Sequence, residues 1–150
     1  MKDAKCRPIH LLLIEDNPAD ARITMEAIKE AGIAGEITLL RHGDEAEAFL
    51  HRRGQYAAAE RPDLILLDLN LPGKGGREIL AAIKQDPSLG SIPVIVLSTS
   101  QAEQDVRDSY AVHANCYLVK PLSYQRLLDL VLKIGDFWLG TVKLPPKEQL

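Results

Sequence analysis

The sequence predicts an α/β fold: a five-stranded parallel sheet in the order 2-1-3-4-5, with helices on both faces. Three observations predict it. Short apolar runs alternate with longer segments of helical period five times along the 150 residues. The runs are continuous rather than alternating, as in Leu64-Ile65-Leu66-Leu67, so helices must cover both faces of the strands. Helix signals stand between the runs, among them Asn17-Pro18 before the first helical segment and Gly32 after it. Parallel strands joined by right-handed crossovers leave few topologies. In the flavodoxin-like order 2-1-3-4-5, strands 1 and 3 are neighbours at the switch point, where open α/β sheets bind ligands.

Taken in order, Ile9 to Ile14 reads as a buried first strand. The first helix follows from Pro18, with Ala21, Met25, Ile28 and Ala31 on one face. Glu36 to Arg41 is the second strand, and Asp44 to Arg53 is helical, with Gly54 after it. Asp63 to Asp68 is the third strand, followed by a helix from Gly76 to Gln85. Pro93 to Leu97 is the fourth strand, and Gln101 to Ala111 a shorter, more polar helix. Cys116 to Val119 is the fifth strand, and the last helix runs from Tyr124 to Phe137 or slightly beyond.

Composition narrows the function classes. Hydrophobic residues make up 46% and charged residues 26%, and the net charge is −3. That balance suits one globular domain and gives no reason to expect nucleic-acid binding. The basic cluster His51-Arg52-Arg53 reads as a solvated helix end. No run approaches the roughly 20 apolar residues of a membrane span, and no signal peptide is evident. Cys6 and Cys116 have no metal-ligand or disulfide-framework spacing, which fits reduced thiols in a cytoplasm. His10, His42, His51 and His113 show no ligand spacing either.

The chemistry gathers at one edge. The first strand ends in Glu15-Asp16, the third in Asp68, the fourth in Ser98 and the fifth in Lys120. A parallel sheet brings these ends together. Carboxylates about 5 Å apart repel by roughly 3 kcal/mol at an effective dielectric near 20, so one takes up a proton or a cation binds. An all-oxygen set suits Mg²⁺, and a lysine supplies a mobile point charge for phosphate. A metal and an ammonium aimed at one carboxylate are what phosphoryl transfer needs. Gly73-Lys74-Gly75-Gly76 lacks the spacing of a phosphate loop and reads as a turn and helix start.

Four motifs, Leu13-Ile14-Glu15-Asp16-Asn17, Leu66 to Gly73, Val96-Leu97-Ser98-Thr99 and Tyr117-Leu118-Val119-Lys120-Pro121, resemble those of bacterial response-regulator receiver domains. The resemblance runs from about Ile9 to Ile134. It implies that Asp68 is the phosphoacceptor, taking a phosphoryl group from a phosphohistidine on a sensor histidine kinase. Asp16, Asp68 and the backbone carbonyl of Asn70 would hold Mg²⁺, with Glu15 acting through water. Ser98 and Lys120 would stabilise the phosphoryl group. Ser98 and Tyr117 would form the switch, and Pro121 is a candidate cis-proline. One departure is Gly75, where many receivers carry Asp before the glycine that opens the third helix.

The end of the chain carries a second resemblance. The opening Glu15 to Asp20 and the Phe137-Trp138 tail are similar to those of single-domain regulators associated with phytochrome-type kinases. The implied architecture is a lead over 1–8, a receiver domain over 9–136 and an apolar extension over 137–150 that packs on its own domain or meets a partner. The resemblance implies a homodimer through the fourth helix, fifth strand and fifth helix, with Tyr110, Tyr117, Leu130, Phe137 and Trp138 as candidate interface residues. The expected protein is a cytoplasmic phosphoacceptor with no output domain, catalysing only its own phosphotransfer and dephosphorylation. Alternatives are a degenerate scaffold receiver, an aspartate-nucleophile phosphatase, against which Asn70 replaces the second Asp, and a flavin protein, whose phosphate loop Glu15-Asp16 would repel.

Overall fold

The structure, a computed structural model, describes residues 9–69 and 75–146. Five parallel strands form one sheet in the order β2-β1-β3-β4-β5, as the sequence predicts. They are β1 (His10–Ile14), β2 (Glu36–Leu40), β3 (Leu64–Asp68), β4 (Val94–Ser98) and β5 (Cys116–Val119). The helices are α1 (Pro18–Ala31), α2 (Gly43–Leu50), α3 (Gly76–Gln85), α4 (Glu103–Ala111) and α5 (Tyr124–Trp138), with a 3-10 turn at Gly54–Tyr56.

Strand alternation sorts the core into two layers. Leu12, Ile14, Ile65, Leu67, Val94 and Val96 pack with Phe49 of α2 and Ile79, Leu80 and Ile83 of α3. Leu11, Leu13, Leu64, Leu66, Ile95 and Leu97 pack with Ile28 of α1 and Leu127, Val131 and Ile134 of α5. Every residue of β1, β3 and β4 is buried. Truncating one of these leucines to alanine would cost about 2–5 kcal/mol. The strands therefore cannot rotate to turn their polar ends away from one another.

The α1 signals act as the sequence suggests. Asn17 Oδ1 accepts from Asp20 N at 2.9 Å, and Gly32, at φ 67°, donates to the Ile28 and Lys29 carbonyls. Helix α2 ends earlier than expected, at Leu50. Arg52 and Gly54 both take positive φ, and the chain turns back so that Tyr56 meets Phe49 edge-on at 5.4 Å. Strand β5 is an edge strand and only half-buried, with Val119 exposed.

The last helix takes in Phe137 and Trp138 as its final turn, their rings T-shaped at 5.5 Å. Trp138 packs on the α1–α5 layer, and Pro145 and Pro146 line a narrow cleft with Arg61, Asp63, Ile92 and Pro93. The tail, as far as Pro146, thus folds back on its own domain, while Phe137 stays exposed. The Lys120–Pro121 bond, a candidate for cis, is trans, as is every peptide bond among the described residues. An X–Pro bond keeps a trans preference of about 0.5–1 kcal/mol unless packing reverses it, and sequence does not reveal that packing.

The start of α3 joins fold to site. Gly76 N donates to the Leu69 carbonyl at 3.2 Å, and a Cβ on Gly76 would collide with the Leu69 backbone, one residue beyond Asp68. Gly75, the N-cap, has space for a Cβ among the described residues, its N–H given to Glu78 Oε1 at 3.3 Å and no side chain present to cap the helix. Gly76→Ala is expected to destabilise by about 1–3 kcal/mol through this overpacking. Gly75→Asp is expected to stabilise by a few tenths of a kcal/mol through a new cap. Urea unfolding midpoints check both, and an unchanged midpoint for Gly76→Ala would remove the steric argument.

Candidate functional site

Glu15, Asp16, Asp68, Ser98 and Lys120 follow or end the adjacent strands β1, β3, β4 and β5 and converge at the carboxyl edge of the sheet. One carboxylate oxygen each from Glu15, Asp16 and Asp68 lie within 4.8 Å of one another. Glu15 is 2% exposed and Asp68 7%, whereas Asp16 is half-buried. The Lys120 ammonium donates to Glu15 Oε1 at 2.8 Å and to Asp68 Oδ2 at 3.4 Å. Lys120 is held there from behind by its own N–H, which donates to the Ser98 carbonyl at 2.7 Å.

The electrostatics follow from this crowding. Burial, with the neighbouring Asp68 adding to it, pushes the Glu15 carboxyl up to about 8, against the pull of Lys120 in the other direction. Burial alone would lower the Lys120 pKa, but the hydrogen bond and charge of Glu15 and the charge of Asp68 outweigh it, so the net shift is upward. One ammonium does not offset three carboxylates. Oxygen donors this close, two of them buried, fit a divalent cation of the hard, oxygen-seeking class. Asn70, expected to add its carbonyl, lies outside the described residues, as do Leu71 to Lys74.

Ser98 is buried at the end of β4, one residue beyond the Leu97 that pairs with Asp68. Its Oγ accepts from Ser100 N at 3.1 Å, so the hydroxyl braces the loop that follows. The Tyr117 hydroxyl donates to the Ser100 carbonyl at 2.9 Å, and Tyr117 N donates to the Tyr110 hydroxyl at 3.2 Å. Ser100 Oγ in turn donates to Asp105, which also pairs with Arg77. The Ser100 hydroxyl first, and Arg77 after it, hold the Asp105 carboxyl below the usual range.

Sequence reading missed this strap of Arg77, Ser100 and Asp105, and also the direct Glu15–Lys120 pair. Both join residues from separate elements, and neither has a local motif. Among the candidate interface residues, Tyr110 and Phe137 are exposed, Tyr117 and Trp138 are partly covered, and Leu130 is half-buried against the α1–α5 layer. Leu132 and Val119 are exposed as well. Among the described residues no helix is long and apolar enough to cross a membrane.

Comparison with known proteins agrees with the fold. The family described as the response regulator receiver domain matches residues 11–132. The response regulator Rcp1 of Synechocystis sp. is 50% identical over 145 residues, which are 97% of this chain and 99% of Rcp1. The crystal structure of the Mn²⁺-bound form of Rcp1 has a TM-score of 0.85 at 51% identity, covering 93% of this chain and 100% of that one. The phosphorylated cyanobacterial phytochrome response regulator RcpA has a TM-score of 0.88 at 49% identity, with the same coverage.

The Glu15 shift makes a stability prediction. Its folded pKa, about 8, lies above its ordinary 4.5, so the native state holds the proton more tightly than the unfolded chain. The resulting stabilisation is complete below the ordinary value and is lost as pH rises through about 8. With a chelator present, the melting temperature is expected to fall from about pH 6 to about pH 8. Glu15→Gln should flatten that slope. An equal slope in wild type and variant would show that Glu15 does not carry it.

Proposed function

Since the chain belongs to the response regulator receiver family, we propose that it is a phosphorylation switch whose acceptor is Asp68. The observation that carries this reading is the Asp68 carboxylate, nearly buried, 3.4 Å from the Lys120 ammonium and beside the carboxylates of Glu15 and Asp16. An Asp68 oxygen attacks the phosphorus of a phosphohistidine on a sensor kinase. The P–N bond breaks, an acyl phosphate forms, and the imidazole leaves with the bonding electron pair and takes a proton. Asp16, Asp68 and the Asn70 carbonyl would hold Mg²⁺, with Glu15 acting through water. When bound, the ion neutralises charge on the phosphoryl oxygens. Lys120 moves its ammonium from Glu15 toward the new phosphoryl group, a short reach for a flexible side chain.

Readout follows the Ser98–Ser100–Tyr117 hydrogen bonds. Turning the Ser98 hydroxyl to the phosphoryl group releases Ser100 N, and the loop that holds the Tyr117 hydroxyl then changes shape. Phosphorylation in this way shifts an equilibrium between two surfaces. The surface lies on α4, β5 and α5, where Tyr110, Val119, Leu132 and Phe137 are exposed, and a second copy of the chain is its occupant. The kinase is of the phytochrome type. Half-identity to Rcp1 over nearly the whole of both chains supports that, as does the likeness to RcpA, a phytochrome response regulator. The residue boundaries 9–136 for the receiver and 137–150 for the extension belong to the same reading, with the cytoplasm as its location.

Acetyl phosphate with Mg²⁺ is expected to give a single acid-labile phosphoryl adduct by intact mass, absent from Asp68→Asn. No adduct, or one that survives the substitution, would reject the proposal. The phosphorylated protein should sediment as a dimer, and Phe137→Glu should hold it as a monomer. A phosphoprotein that stays monomeric would remove the dimer surface.

A further inference from the structure

The amino edge of the sheet, opposite Asp68, holds a second group of ligating side chains. His10 opens β1 and is 4% exposed. Its ring Nε2 lies 2.8 Å from Thr38 Oγ1, and its Nδ1 is buried with no hydrogen-bond partner among the described residues. A ring nitrogen of His10 and one carboxylate oxygen each from Glu36 and Glu60 lie within 4.8 Å of one another. Glu36 faces His10 across the β1–β2 register, and Glu60 comes from the loop that leads to β3.

His10 is fixed through its backbone: its N–H donates to Asp63 Oδ2 at 2.9 Å, and its carbonyl accepts from Asp63 N at 2.8 Å. Phe49 meets the ring edge-on at 5.8 Å. In the tautomer in which Nε2–H donates to the Thr38 hydroxyl, the lone pair stands on Nδ1, a buried acceptor with a desolvation penalty and no donor to relieve it. A histidine whose second nitrogen is fastened by a hydrogen bond is the usual arrangement of a metal-ligating imidazole. One imidazole with two carboxylates is a borderline donor set, suited to Zn²⁺ rather than to Mg²⁺. Bond lengths of about 2.1 Å need the donors somewhat closer than they stand, and two exposed glutamates on flexible stems can close in.

We infer that His10, Glu36 and Glu60 form a site for a Zn²⁺-class transition-metal ion, with Thr38 as the positioning residue behind the histidine. The ion ties β1, β2 and the approach to β3 together, roughly 16 Å from the phosphoacceptor by strand rise. Both glutamates are solvent-facing, so the site fills from solution. Its three ligands lie on separate elements, which is why no spacing in the sequence betrays it.

Zn²⁺ titrated into the full chain, with excess Mg²⁺ present to occupy the acidic cleft, tests this. Ring-nitrogen NMR should show the His10 Nδ1 resonance moving to saturation at one ion per chain. Glu36→Gln combined with Glu60→Gln should abolish that movement, and Thr38→Val should weaken affinity roughly tenfold. Neither glutamate belongs to the phosphoacceptor site, so acetyl phosphate labelling of the double variant reports that it is folded. An unmoved His10 ring at saturating Zn²⁺, or equal affinity in the double variant, would overturn the inference. Zn²⁺ uptake abolished by Asp16→Asn instead would assign the ion to the acidic cleft and overturn it equally.

Discussion

Mutual repulsion of the three carboxylates at the carboxyl edge of the sheet governs the rest of the structure. Oxygens of Glu15, Asp16 and Asp68 lie within 4.8 Å of one another, and each charged pair at that distance is unfavourable by roughly 3 kcal/mol at an effective dielectric near 20. An ordinary protein surface would relax by turning one side chain into water. Here β1 and β3 are apolar on both faces and buried throughout, so the strand ends have no such freedom. The strain is met in two ways instead. Glu15, by burial first and the neighbouring Asp68 second, keeps a proton far above the ordinary carboxylate range, and Lys120 bends across the sheet to bond it. A divalent cation would relieve what remains, and the packing of the core holds the three carboxylates where they could bind it.

The same edge is joined to β5 and to the starts of α3 and α4 by a continuous run of hydrogen bonds. Lys120 N holds the Ser98 carbonyl, Ser98 Oγ holds Ser100 N, and Ser100 receives the Tyr117 hydroxyl while its own hydroxyl reaches Asp105. Arg77, at the start of α3, closes the loop onto α4 through Asp105 and Asp108. Exposed ion pairs of this kind contribute little to stability. Their value lies in geometry: α3, α4 and β5 share partners in one short loop that begins at Ser98.

Much of this was legible in the sequence because strands buried on both faces write themselves as unbroken apolar runs, and their last residues then mark the sheet edge. Asn17, Pro18 and Gly32 placed α1 to within a residue for equally local reasons. What the sequence concealed is long-range. Glu15 and Lys120 stand 105 positions apart, and only their side chains reveal that the lysine bonds Glu15 more closely than Asp68. Gly75 and Gly76 look alike as a pair, yet among the described residues one has space for a side chain and the other is pressed against Leu69. The early end of α2 and the half-exposure of β5 depend on what packs beside them. His10, which has no ligand spacing, becomes a candidate ligand only when β2 and the loop before β3 are brought to it.

The most direct test of the carboxylate account is a calorimetric titration of Mg²⁺ into the unphosphorylated protein across the pH range in which Glu15 ionises. One-site binding is expected, strengthening as pH rises through about 8 because the Glu15 proton must leave, and lost in Asp16→Asn. Binding that is indifferent to pH and survives Asp16→Asn would mean that carboxylate crowding does not create the cation site.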